Sequence, residues 1–452
     1  MNQQEPIYDA ATLGNGKMAI LGLQHLFAMF GATILVPILV NSYFNGEGLS
    51  IQVTLFFAGI GTILFHVLTK AKVPAFLGSS FAFLGGFQAV ANLDSGKFAD
   101  MSYGEKLPYA CGGIVIAGLL YLVLALIVKA VGVKKVMRFL PPVVTGPIII
   151  CIGLGLAPSA ISNAATCWPL ALIALAIVII FNIWGKGMFK IIPILMAVVI
   201  SYIVALIMNA LGVTAADGSP LLNFAPIAEA SFVGLPDFFI AKFDLTAILV
   251  MAPIAIASMM EHVGDISAIS ATTKRDLVGD PGLHRTLLGD GLATALAGLF
   301  GGPANTTYGE NTGVLELSKV YDPKVVRLAA LYAIILSFIP KISQVIGTMP
   351  AAIIGGISFI LYGMISAIGI RNIVENRVDF TNSRNLIIAA SILVCGLGLG
   401  GGITFTVGST TITLTALAIA SIVGVVLNAI LPGKDYEFGI NEEGDKNRGV
   451  HM

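Results

Sequence analysis

Long apolar runs alternate with short polar breaks along the chain, and the length of the runs sets the architecture. A helix needs about 20 mostly apolar residues to cross the hydrocarbon of a bilayer. Runs of that order fall near 18–40, 51–69, 74–93, 109–130, 137–157, 168–184 and 188–211. A polar, Pro- and Gly-containing connection (212–243) follows, then runs near 245–268, 284–303, 304–318, 324–346, 350–372, 385–402 and 410–431. The pattern predicts an all-α polytopic membrane protein of about 14 transmembrane segments, seven on each side of the connection. Because seven is odd, a sevenfold repeat must set its halves in opposite orientations, as two inverted repeats.

Two runs break the pattern of ordinary spans, and each is third in its seven. Segment 74–93 opens Pro-Ala-Phe-Leu-Gly-Ser-Ser-Phe and carries Gly78, Gly85 and Gly86. Segment 304–318 carries Asn305-Thr306-Thr307-Tyr308-Gly309-Glu310-Asn311-Thr312-Gly313. Irregular or charged backbone persists at membrane depth only where protein or a cavity surrounds it. Paired interrupted segments in two inverted halves point to a transporter's central binding site. The first segments of the halves echo one another as well, with Gln24-His25 against Glu261-His262.

Composition agrees with a membrane protein: 56% hydrophobic and 11% charged, against about 25% charged in soluble domains. Lysine plus arginine and aspartate plus glutamate each total 25, so no basic excess argues for nucleic acid. With a cytoplasmic N-terminus, all basic residues except Lys97, Lys106, Lys242 and Lys341 fall on the inner side, as the positive-inside rule requires. Both termini are then cytoplasmic. Cys111, Cys151, Cys167 and Cys395 are scattered and read as buried thiols, with no disulfide frame or metal spacing. Residues 1–17 are polar, and the first apolar run is too long for a cleavable signal core.

Carboxylates inside apolar runs are the candidate chemistry. Glu261 and Asp265 are four apart and share one helix face, and Glu310 lies in the tenth run. Each charge at the membrane centre costs roughly 2.5–3.5 kcal/mol, so three need a reason. Desolvation and neighbouring like charge favour the protonated form of a carboxyl, which suits proton coupling. Glu261 is the leading coupling group and Glu310 mainly a ligand, though the two roles can be exchanged; Asp265 either joins the coupling set or pairs with a Lys or Thr of a neighbouring span. His25 and His262 read as packing residues, since His262 points about 100° from Glu261 on an ideal helix. Phe81 beside Gly78-Ser79-Ser80, and Tyr308 beside Gly309, each offer an aromatic face next to free backbone, which suits a flat heterocycle. Gly396–Gly402 ends an apolar span and opens no soluble nucleotide-binding unit. Gly59, Gly61, Gly298, Gly301 and Gly302 suit close helix packing.

At these residues the chain resembles the nucleobase–ascorbate transporter family (nucleobase:cation symporters), and within it the branch that carries uracil in bacteria. The resemblance rests on Gln24-His25-Leu26-Phe27-Ala28-Met29-Phe30-Gly31, Gly78-Ser79-Ser80-Phe81-Ala82-Phe83, Glu261-His262-Val263-Gly264, Asp280-Pro281-Gly282-Leu283-His284-Arg285, and Asn305–Gly313 followed by Lys319. It implies a core domain (1–136 and 216–346, spans 1–4 and 8–11) moving against a gate domain (137–215 and 347–433, spans 5–7 and 12–14), with 434–452 as a cytoplasmic tail. It implies short extended pieces in segments 3 and 10. Substrate-binding positions would be Glu261, Glu310, Phe81, Gly309, Tyr308 and Ser80, with Tyr308 in a supporting place. Proton coupling would fall to Glu261, Asp265 and Glu310.

The implied activity is proton-coupled uracil import by alternating access across the bacterial cytoplasmic (inner) membrane, without cofactor, metal or enzymatic step, and compatible with a homodimer. Asp265 stands where uracil carriers can have His and purine carriers often Asp, whereas Glu310 before Asn311 resembles the pyrimidine branch. Weight on the base-binding edge favours uracil, with xanthine or purine symport as the alternative. An anion carrier of the related fold is less favoured, because two acidic groups would repel an anion.

Overall fold

The computed structural model describes residues 5–94, 96–407 and 410–433; the expected tail 434–452 lies outside the described residues. The fold is mostly helical. The principal helices of the first part are α1 (Asn15–Tyr43), α2 (Ile51–Leu68), α3 (Leu84–Ala91), α4 (Tyr103–Val131), α5 (Pro142–Ala165), α6 (Trp168–Trp184) and α7 (Pro193–Ala210). Past the connection come α8 (Leu245–Thr273), α9 (Leu283–Leu299), α10 (Gly309–Ser318), α11 (Pro323–Ser337), α12 (Pro340–Gly347), α13 (Ala351–Glu375), α14 (Ser383–Gly398) and α15 (Ala416–Ile430). Strand β1 (Leu77–Ser79) pairs with β2 (Asn305–Thr307), and β3 (Ile403–Val407) with β4 (Thr410–Leu414), both antiparallel.

By length and apolar composition, 7 of the described helices can cross a membrane, or 8 if the bent pair α11–α12 is one span. Several other runs fold into shorter apolar helices, such as α6, α14 and α15. Leu126 on α4, Ile183 and Trp184 on α6 and Ile207 on α7 are exposed. Apolar faces of this extent are unusual in water and are what lipid contact demands.

Sequence punctuation explains where helices break. α11 and α12 meet at 86°, where the run 324–346 had read as one span. Ile339 sits at the corner with φ −115° and ψ 84°, because the residue before a proline, here Pro340, is pushed out of the helical region. The run 410–431 also divides: its first part is β4, and α15 begins only at Ala416, capped by Thr415 accepting from the Ala418 N–H at 3.3 Å. The stretch Thr410-Thr411-Ile412-Thr413-Leu414 opens with four consecutive β-branched residues, which favours a strand.

Helix packing is densest within two groups: α1, α2, α4, α9 and α11 in one, α5, α6, α7, α13, α14 and α15 in the other. Small residues allow the closest approaches. A Cβ at Gly298 would lie 2.8 Å from Ile114 Cγ2 of α4, and one at Gly59 would lie 2.5 Å from the Ala330 carbonyl of α11.

Candidate functional site

The site grows from the two interrupted segments. Leu77 faces Thr307, Gly78 faces Thr306 and Ser79 faces Asn305 in a buried antiparallel ladder. Backbone buried away from water must find partners, and a two-stranded ladder leaves its outer edges open. Hydroxyls from the preceding helices close them. Thr62 Oγ1 of α2 accepts from the Leu77 N–H (2.9 Å) and donates to the Ala58 carbonyl of its own helix (2.7 Å), with the Leu77 carbonyl at 3.3 Å. Thr294 Oγ1 of α9 accepts from the Asn305 N–H (3.1 Å) and donates to its carbonyl (3.0 Å). At the ladder's ends the Ser80 N–H donates to the Ala304 carbonyl (2.8 Å) and the Tyr308 N–H to the Phe76 carbonyl (3.0 Å).

Beyond each strand the chain turns helical. Phe81 opens the short 3-10 turn Phe81–Phe83 that leads into α3, and Gly309 opens α10. The first N–H groups of a helical segment lack an intrahelical acceptor, so both positions can present amides to a bound molecule. Phe81 is buried and meets Tyr362 of α13 edge-on, with ring centroids 6.0 Å apart. Ile368 of the same helix stands 3.8 Å from where a Gly309 Cβ would be. Helix α13 therefore borders the site opposite the ladder.

Tyr308 is buried beneath the ladder rather than pointing away from it. Its hydroxyl donates to the Ser79 carbonyl (2.9 Å) and lies 3.3 Å from Thr33 Oγ1 and 3.2 Å from Ser79 Oγ. Its ring occupies the space a Gly78 side chain would take, 2.5 Å from Cε2 to that Cβ. The Ser80 hydroxyl is buried without a hydrogen-bond partner among the described residues.

The three expected carboxylates come together at this point. Glu261 and Asp265 of α8 and Glu310 of α10 are each half-buried, and Glu261 lies within electrostatic reach of both others. Thr307 Oγ1 donates to Asp265 Oδ2 at 2.7 Å, so Asp265 is tied to β2. Glu261 Oε2 is buried with no hydrogen-bond partner among the described residues.

Sequence reasoning took Glu261, Asp265 and Glu310 as the only carboxylates clustered in apolar runs, and the structure adds a fourth. Asp290 of α9 is fully buried, 2.9 Å from His262 Nδ1, with both side chains at 0% exposure. His262 faces Asp290 of α9, whose carboxyl also lies within electrostatic reach of Glu261 and Asp265. The sequence-level signal was the Gly289-Asp290-Gly291 step in an otherwise apolar helix. His25 likewise packs internally, with the Asn311 side-chain amide donating to its carbonyl at 3.0 Å.

Residues 16–405 match the profile Xan_ur_permease, described as a permease family. The chain is 41% identical over 443 residues to the uracil permease of Bacillus caldolyticus, covering 95% of this chain and 94% of the relative. It is 40% identical over 429 residues to the uracil permease of Bacillus subtilis (strain 168), covering 91% of each. Among solved structures, the transmembrane domain of the cyanobacterial bicarbonate transporter BicA superposes with a TM-score of 0.61 at 16% identity, over 93% of this chain and 100% of that domain. At that identity the likeness speaks for the fold alone. Each of these names describes a permease or transporter, and none an enzyme.

Proposed function

The chain belongs to the nucleobase–ascorbate transporter family, and from that premise we propose that it imports uracil together with protons, by alternating access, across a bacterial cytoplasmic membrane. What supports the reading is that Glu261 lies within electrostatic reach of Glu310, while the paired strands set Phe81 and Gly309 each two residues past a strand end, at the start of a helical turn. Uracil presents N–H donors and C=O acceptors around one flat ring. An ionised Glu310 accepts from a ring N–H; the amides of Phe81 and Gly309 donate to ring carbonyls; the Phe81 ring packs on the base. Glu261 can donate to a carbonyl only while protonated, so base and proton bind together and leave together. Tyr308 supports the ladder, and Ser80 Oγ remains as a further donor.

In this reading the fourteen runs form two inverted sevens, both termini are cytoplasmic, and α13 belongs to the gate that moves against the ladder-bearing core. Asp265 enters through its bond to Thr307, which occupies one of its oxygens and leaves base discrimination to Glu310. Glu310 before Asn311, which resembles the pyrimidine branch, favours uracil over a purine.

The test is uptake of labelled uracil into cells expressing the chain, with unlabelled xanthine and uric acid as competitors and with a protonophore. Accumulation abolished by the protonophore and untouched by purines is the expected result. Competition by xanthine would overturn the substrate assignment, and protonophore-resistant accumulation the coupling. Glu261→Gln is expected to bind uracil yet fail to concentrate it, and full uphill uptake by that variant would remove Glu261 as the coupling group.

A further inference from the structure

We infer that Tyr8 is a positioning residue: from the segment ahead of α1 it sets the spacing between α8 and α10, the helices that carry Glu261, Asp265 and Glu310. The inference rests on the transport reading of those carboxylates. The chain before α1 runs across the ends of both helices. The Ile7 N–H donates to the Lys319 carbonyl (2.8 Å), and the Tyr321 N–H donates to the Ile7 carbonyl (2.8 Å), a parallel bridge onto the residues that end α10. The next residue holds α8. Tyr8 OH donates to the carbonyl of Thr273, the last residue of α8, at 2.9 Å. The Arg275 guanidinium sits 4.1 Å from the Tyr8 ring centroid, and the Tyr321 ring lies 5.5 Å away on the α10 side.

Adjacent residues are only about 3.8 Å apart at Cα, so the two helix ends cannot separate without breaking one set of bonds. The segment is itself moored to the start of α11. The Ala10 N–H donates to Asp322 Oδ2 (2.8 Å), and Asp9 pairs with Lys324 (3.0 Å).

The lever arms are matched. Thr273 is eight residues past Asp265, and Ser318 is eight past Glu310, roughly 12 Å in each case at the helical rise. Two cross-links therefore tie α8 to the β2–α10 segment: the Thr307–Asp265 bond, made from β2 beside the carboxylates, and the Ile7–Tyr8 strap at the helix ends. A strap that only stabilised the surface would leave the carboxylate spacing alone; one that joins both ends of a matched pair of levers sets it.

The experiment uses the full-length purified protein with two readouts. Nitroxide labels on Ala271→Cys and Glu316→Cys report the separation of the helix ends without any ligand. Tyr8→Ala is expected to broaden that distance distribution and to raise the Kd for uracil about five- to tenfold, from the loss of a hydrogen bond and a cation–π contact. Tyr8→Phe keeps the ring on Arg275 but loses the bond to Thr273, and is expected to recover only part of the affinity.

Combined with Thr307→Val, Tyr8→Ala is expected to be non-additive, whereas sites this far apart and uncoupled add. If Tyr8→Ala fails to fold, Tyr8→Phe and Arg275→Gln carry the same comparison. An unchanged distance distribution, or additive effects with unchanged uracil affinity, overturns the inference. A wild-type protein that shows the strap-dependent distance but binds no uracil supports the positioning role and overturns the uracil reading alone.

Discussion

The two broken segments share a backbone and differ in chemistry. Each runs strand, turn, short helix; each has its outer strand edge closed by a threonine hydroxyl from the preceding long helix, Thr62 for β1 and Thr294 for β2. Yet the β1–α3 segment brings Phe81 and no ionisable group, whereas β2–α10 brings Glu310 and, through Thr307, holds Asp265. Their far ends are fastened differently too. Lys106 Nζ donates to the Ala91 carbonyl at the end of α3 (3.2 Å), and the segment before α1 fastens the end of α10. Unsatisfied amides in hydrocarbon impose the same solution on both halves. What is recognised can then differ from one side to the other.

The largest effect expected from this contrast is at Glu310. Glu310→Ala should weaken uracil binding about 10- to 100-fold, the worth of a charge-assisted hydrogen bond of about 1.5–3 kcal/mol. Phe81→Ala should cost about tenfold or less, through lost ring packing. Equilibrium binding to purified protein measures both, and equal losses would erase the proposed division of labour.

The shared backbone is tested next. Thr62→Val and Thr294→Val each strand a buried strand N–H, at about 1–3 kcal/mol per unsatisfied group, and should lower the melting temperature to a similar degree. A large loss for one with none for the other would break the equivalence of the segments. Thr307→Val should follow with a loss of about 1 kcal/mol in affinity, restored by Thr307→Ser and read as a shift in the pH dependence of uptake; an identical pH profile would remove Asp265 from the coupled set.

Smallest is the mooring of the segment before α1 to α11. Lys324 holds the exposed Asp9 carboxyl below its usual range, chiefly by a side-chain hydrogen bond. A depressed folded-state value means the pair contributes above the unfolded carboxyl value and is lost as pH falls through the lower one. Asp9→Asn should therefore flatten the acid limb of the melting profile slightly, and high salt should do the same to the wild type.

Much of this was legible from residue order alone. Hydropathy runs located the helices because a bilayer admits only long apolar stretches, and the boundaries of α2 fall within a residue of its run. The breaks in the third and tenth runs showed as Gly, Ser, Thr and Asn where apolar residues were expected, and both contain an extended piece. His25 and His262 were read as packing residues, and each has a partner inside the protein. The corner before Pro340 was written in the sequence but lost in a hydropathy average, as was the Thr-rich strand β4. Asp290 does not stand out in the sequence because the His262 side chain it faces lies on another helix.

Residue order thus determined that the chain crosses a membrane many times and where several of its helices fail. These are local properties, set by the solvent around each stretch. Tertiary structure alone decided that Thr62 and Thr294 close the ladder, that Thr307 takes Asp265, that Asp290 belongs to His262, and that Tyr8 reaches the end of α8. Each of those joins groups that only folding brings within hydrogen-bond distance, and such a bond depends on geometry of a few tenths of an ångström that no pattern of polar and apolar positions contains.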